Sequence, residues 1–193
     1  MSKSVIVIVV VLLLGGMFGC STYNGLVGKD ETVNEAWSKV QSQYQRRADL
    51  IPNLVNTVKG AADFEKSTLT GVIEARSKAT SVQLTADQLT PENMQKFQAA
   101  QEQLSGALSR LLVSVERYPE LKANQNFLEL QAQLEGTENR IAVARNDFNT
   151  VVKDYNQSVR SFPANIFAGM FGFPVKGFFE ASQAAQNAPT VQF

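Results

Sequence analysis

Histidine is absent from this 193-residue chain, which removes the side chain best suited to proton transfer near neutral pH and the commonest zinc ligand. Cysteine occurs once, as Cys20, so no disulfide can form within the chain and no paired-cysteine redox or metal motif exists. Neither sign of charge is in excess, with Lys plus Arg and Asp plus Glu both totalling 18. Without a basic surplus there is no electrostatic footprint for nucleic acid. These absences argue against an enzyme; no metal, no other cofactor and no nucleic-acid partner is expected.

What is present begins with an apolar run, Val5 to Leu14, extended through Gly15, Gly16, Met17, Phe18 and Gly19, with Lys3 the only charge ahead of it. The run is too long for a buried strand. Two readings stay open. In one, Gly19-Cys20-Ser21 ends a bacterial lipoprotein signal and Cys20 receives lipid; Met17 suits that pattern, whereas Phe18 is bulkier than the small residue usual there. In the other, Ser4 to Tyr23 is an uncleaved helix, because about 20 residues cross the roughly 30 Å of hydrocarbon. Either attaches the chain to a membrane. Lys3 favours a cytoplasmic N-terminus and an exported body.

The body carries helical periodicity. Val33, Trp37, Val40, Tyr44, Ala48, Ile51, Val55, Val58, Ala62, Leu69 and Val72 recur mostly at steps of three or four, with a gap around Glu65, the mark of one buried stripe. Asp30 is the expected N-cap of this segment, and Pro52 the expected kink or break. Thr90-Pro91-Glu92 restarts a helix through Met94, Phe97, Leu104, Leu108 and Leu111. Tyr118-Pro119 ends it. Asn126 with Glu129 reads as a capping box for a third stripe, from Phe127 to Val159. Each stripe needs an apolar face against it, and the interruptions favour folding back within one chain over a coiled-coil dimer. A fourth helix is expected from the split at Pro52 or from the C-terminal region.

Six of the 12 phenylalanines lie between Phe162 and Phe179, in a segment interrupted by Gly and Pro. It is too short to span a membrane. It either folds over the bundle end, or contacts a membrane surface or another subunit through Phe162, Phe167, Phe171, Phe173, Phe178 and Phe179. The expected organisation is therefore all-α. It comprises a membrane anchor or lipoprotein signal over residues 1–22 and an elongated antiparallel bundle of three to four helices over 23–161. An apolar segment over 162–180 and a flexible tail over 181–193 complete it.

The order of several blocks resembles the LemA family of bacterial membrane-associated helical-bundle proteins. The matching blocks include Tyr23-Asn24-Gly25-Leu26-Val27, Arg46-Arg47-Ala48-Asp49-Leu50-Ile51-Pro52-Asn53-Leu54-Val55, Glu116-Arg117-Tyr118-Pro119-Glu120-Leu121, Leu134-Glu135-Gly136-Thr137-Glu138-Asn139-Arg140-Ile141 and Phe171-Gly172-Phe173. The likeness runs from about residue 5 to residue 180. It implies an N-terminal membrane segment, a helical bundle and no established catalytic chemistry. Ala61 and Phe64 stand where relatives often carry an aromatic and a histidine.

Candidate functional residues are polar. Arg46, Arg47 and Asp49 lie on the first helix, and Glu135, Glu138, Asn139, Arg140 and Arg145 on the third. Antiparallel packing would join the two sets as ion pairs that set helix register, or leave the arginines free for phosphate or lipid headgroups. The expected function is a non-enzymatic scaffold or adaptor of the bacterial envelope, with a binding module for anionic lipid or an acidic segment as the alternative. Membrane lipid, a second copy, or an unidentified membrane or envelope protein are the expected partners.

Overall fold

Every regular element among the described residues is helical. The computed structural model describes residues 3–60 and 64–180; the expected flexible tail, 181–193, lies outside them. Helix α1 (Lys3–Lys59) is followed by α2 (Lys66–Ser81), a single 3₁₀ turn (Ala86–Gln88), α3 (Pro91–Val115), the one-turn α4 (Pro119–Lys122), α5 (Gln125–Arg160) and α6 (Ala164–Phe171).

The apolar run and the first stripe as far as Val58 form one helix, whereas Leu69 and Val72 of that stripe lie on α2 and Ala62 lies outside the described residues. No proline interrupts the chain before Pro52, and the intervening glycines each weaken a helix by only about 1 kcal/mol. At 57 residues, α1 extends about 85 Å. Asp30, expected as an N-cap, is instead inside α1, and its carboxylate pairs with Lys176 Nζ at 2.7 Å. The cap of α5 also differs from expectation. Asn124, not Asn126, accepts the backbone N–H of Phe127. Thr90 caps α3 as expected by accepting from Asn93 N at 3.3 Å, with Pro91 at the first helical position.

Pro52 does not break α1; the chain turns instead after Lys59. A helical residue 52 would normally donate to the carbonyl of Ala48, and proline cannot. Arg76 Nε on α2 takes that place, donating to Ala48 O at 2.8 Å. Exchanging Arg76 for methionine should therefore cost about 1–3 kcal/mol by orphaning the carbonyl. In a Pro52→Ala background the restored N–H should shrink that cost, so a double-mutant cycle by urea unfolding should show clear non-additivity. Independent, additive losses would reject the pairing.

The bundle is up-down-up-down, formed by α1 beyond the apolar run, α2, α3 and α5. Antiparallel register between α1 and α5 is fixed by Lys29 against Ser158, Trp37 against Phe148 and Arg47 against Glu138. At the far end, Phe64 packs on Tyr118 and the buried Leu121 of α4 closes the core. The core has two apolar halves. Trp37, Tyr44, Phe97, Phe148 and Tyr155 fill the half nearer the apolar run, and Ile51, Leu54, Leu104, Leu111 and Leu134 fill the distal half.

After α6, Gly172 adopts the left-handed conformation, φ 76°, and ends the helix. Residues 173–180 then run as an extended strap back along the bundle. The fold thus takes up much of the segment that the sequence marked as odd.

Candidate functional site

Between the two apolar halves lies a polar layer centred on Arg47. Its side chain lies on the inner face of α1, one turn from both Tyr44 and Ile51, so the stripe that buries those residues also buries the guanidinium, which is 1% exposed. Nη1 donates to Glu138 Oε1 at 2.6 Å on α5 and to Ser105 Oγ at 2.9 Å on α3. Nη2 donates to Gln101 Oε1 at 2.6 Å, and Gln101 Nε2 in turn donates to Ala79 O on α2 at 3.1 Å. The guanidinium carbon stands 5.1 Å from the Tyr44 ring centroid, within cation–π range. One cation thus ties α1 to α3 and α5 directly, and to α2 through Gln101.

The other candidate residues do not converge on Arg47. Arg46 is exposed, and exposed Asp49 accepts from Gln45 Nε2 at 2.8 Å. Glu135 is exposed and accepts from Gln131, while Asn139 and Arg140 also face outward. Arg145 lies over the Phe179 ring at 4.7 Å and donates to Glu180 O, binding the strap instead of Glu138. Glu135 and Glu138, three residues apart on α5, are held by different partners, Gln131 and Arg47. Arg46 and Arg47 do not share a face: Arg46 is exposed, whereas Arg47 is buried with both Nη atoms bonded inside the bundle. Burial pushes the Tyr44 phenol above its ordinary pKa, with Arg145 and Arg47 pulling the other way. An open groove of about 850 Å³ runs beside α1, bordered by Gln41, Arg46, Asp49 and Gln83, but by neither Glu135 nor Glu138.

The strap is held by side-chain amides acting as strand partners. Asn156 accepts from Lys176 N at 2.9 Å and donates to Lys176 O at 2.8 Å. Asn149 does the same for Phe179, at 2.9 Å both ways, and Gln98 for Glu180, at 3.0 Å both ways. Asn149 and Asn156 stand seven residues, two turns, apart on α5 and so face the strap together. Lys176 is itself buried. Its ammonium meets Asp30, donates to Ala86 O at 3.2 Å and sits 5.3 Å from the Tyr155 ring. The Tyr155 hydroxyl donates to Pro174 O; burial first, and then the charge of Asp30, raises its pKa.

The six phenylalanines separate accordingly. Phe179, expected at a membrane or subunit contact, is instead 5% exposed and packed on Trp37, Phe97 and Phe148. Phe173 is half-buried against Tyr23. Phe167 and Phe171 meet Phe18 and Tyr23 on α1, while Phe162 and Phe178 face outward. Sequence reasoning gave no site role to Gln101, which falls on the buried stripe of α3, or to Asn149, Asn156 and Lys176, because the partners that single amides and a lone lysine meet lie on other elements. Cys20 is exposed. Among the described residues no group of three or more acidic or cysteine side chains is placed to hold a metal ion.

Comparison with known proteins gives consistent likenesses. The model of the LemA family matches residues 36–193. A Protein LemA from Metamycoplasma hominis is 23% identical over 160 residues, covering 83% of this chain and 69% of that protein. Magnetosome protein MamQ 2 of Paramagnetospirillum magneticum is 25% identical over 182 residues, covering 86% of this chain and 67% of that protein. Magnetosome protein MamQ of Magnetospirillum gryphiswaldense is 24% identical over the same length.

Proposed function

We propose, from the premise that this chain belongs to the LemA family, that it is a non-enzymatic, membrane-anchored scaffold or adaptor of the bacterial envelope. The observation that carries this reading is the continuity of α1, which passes from an exposed apolar run into the bundle core without a linker. Motion of the bundle is then coupled to its anchor, as suits a post that holds partners at a set height. The polar layer serves the post from within, spending its charges on helix register.

The uncleaved anchor is the form we favour. Phe18 packs on Phe167 with ring centroids 5.7 Å apart, and a Cβ on Gly19 would come within 2.9 Å of that ring. Processing ahead of Cys20 would discard both partners. Mass measurement of the mature N-terminus from native membranes checks this: a retained Met1 or Ser2 is expected, and an acylated Cys20 terminus would overturn it.

For the scaffold itself, photoreactive residues placed at the exposed positions Ile73, Val113, Leu128 and Val143 should give discrete adducts with a second copy or an envelope protein in intact cells. Bare monomer from all four positions would count against the role.

A further inference from the structure

From the placement of α6 beside α1, we infer that α6 is a second membrane contact, seated in the lipid interface at the level where α1 leaves the bilayer. The inference rests on the membrane-anchored reading above and adds a site to it. Phe167 meets Phe18 and Gly19, and Phe171 meets Tyr23 at 5.1 Å. Four residues along α6 therefore track about four along α1, so the two helices run side by side in the same direction. The start of α6 points toward the apolar run. Phe162, in the turn that precedes α6, is 82% exposed.

Its outward face is apolar. Ile166 and Met170, one turn apart on α6, are 53% and 73% exposed, and Phe162 is exposed just ahead of them. No charged residue occurs between Arg160 and Lys176. On the bundle itself, among the described residues, Ile73 and Val143 are exposed singly, Val113 and Leu128 border one pocket, and Val175 and Phe178 lie on the strap. At α6 such residues cluster beside α1, and that cluster continues the exposed apolar surface of Met17 and Phe18. A surface continuous with a membrane-embedded helix is covered by the same solvent, lipid. The helix is too short to cross, so it lies along the boundary with its apolar face about 5–10 Å deep. Two contacts at one level would hold the bundle upright, since α6 is joined to α5 and, through the strap, to α3.

The test uses the full chain, Cys20→Ser, in phosphatidylcholine–phosphatidylglycerol bilayers. Single cysteines at Phe162, Ile166, Met170, Leu13 and Ser67 carry an environment-sensitive fluorophore. The labels at 162, 166 and 170 should lose most of their emission to nitroxides near the lipid headgroups, and that at 13 to nitroxides deep in the acyl chains. The label at Ser67, at the distal end, should lose none. Quenching at 13 without quenching at 162, 166 and 170 would overturn the interfacial helix and leave the anchor standing. An unquenched label at 13 would remove both. Blue-shifted but unquenched labels whose signal depends on protein density would mean that a second copy covers α6, and would also overturn the inference. Adding Ile166→Asp and Met170→Asp should release the label at 162 from lipid while Trp37 emission stays unchanged; undiminished quenching there would likewise overturn it.

Discussion

Replacing Arg47 with alanine is expected to lower the unfolding free energy by about 3–5 kcal/mol, a large share of the roughly 5–15 kcal/mol that holds a domain together. The loss has two sources. Truncation leaves a cavity where the core halves meet, and it strips Gln101 Oε1 and Ser105 Oγ of their donor inside the bundle. Glu138 suffers less, because its side chain is 45% exposed and water can replace the guanidinium. Glu138→Gln should accordingly cost no more than about 1–2 kcal/mol, well short of the Arg47→Ala loss. Pairing Arg47→Met with Gln101→Leu should recover most of the stability, since apolar packing often replaces a buried polar cluster without loss. Urea unfolding followed by circular dichroism reads all three variants. An unchanged midpoint for Arg47→Ala would contradict the assignment of this layer as the tie between helices.

Gly177→Ala should detach the strap, although alanine is ordinarily a mild exchange. A Cβ at this position would lie 2.8 Å from Pro91 Cα and 3.0 Å from Pro91 N, and backbone at the start of α3 cannot move aside as a side chain would. The bond from Gly177 N to Leu89 O, 2.7 Å, breaks with it. Lifting the strap withdraws Phe179 from Trp37, Phe97 and Phe148, a loss of about 3–5 kcal/mol by analogy with truncating a buried phenylalanine. It also leaves Lys176 without Asp30. Trp37 is the only tryptophan, so its emission should shift to longer wavelength as its aromatic neighbour leaves. Phe179→Ala should reproduce the shift without the backbone clash. A Gly177→Ala protein with the parent spectrum and midpoint would show that the strap adapts.

Legibility followed the range of the interactions. Thr90-Pro91 was readable as a helix start because cap and helix are neighbours, and the stripes were readable because burial repeats every turn. Pro52 was misleading: the deficit it creates is local, whereas Arg76, which repairs it, stands on another helix. Asp30 looked like a cap because its partner, Lys176, is remote in sequence. The resemblance to the LemA family was carried by long blocks and needed no structure.

At the candidate site, Arg47 and Glu138 could be nominated from their places on facing helices. The stripe on α1 turns position 47 inward and 46 outward, and the antiparallel register of α1 and α5 decides that Glu138 meets it. Asn149, Asn156 and Gln101 acquire their roles only when the strap and the α2 carbonyl arrive opposite them.

By itself, then, the sequence determined the apolar N-terminal run, the all-helical class and the neutral, histidine-free composition, because these follow from residue type and short-range periodicity. Tertiary structure alone decided that the run and the first bundle helix are one rod, that Arg47 is a buried tie and that the phenylalanine-rich segment divides between a strap in the core and an exposed helix beside the anchor. Those outcomes depend on which surfaces meet across the bundle, and no single stretch of chain contains that information.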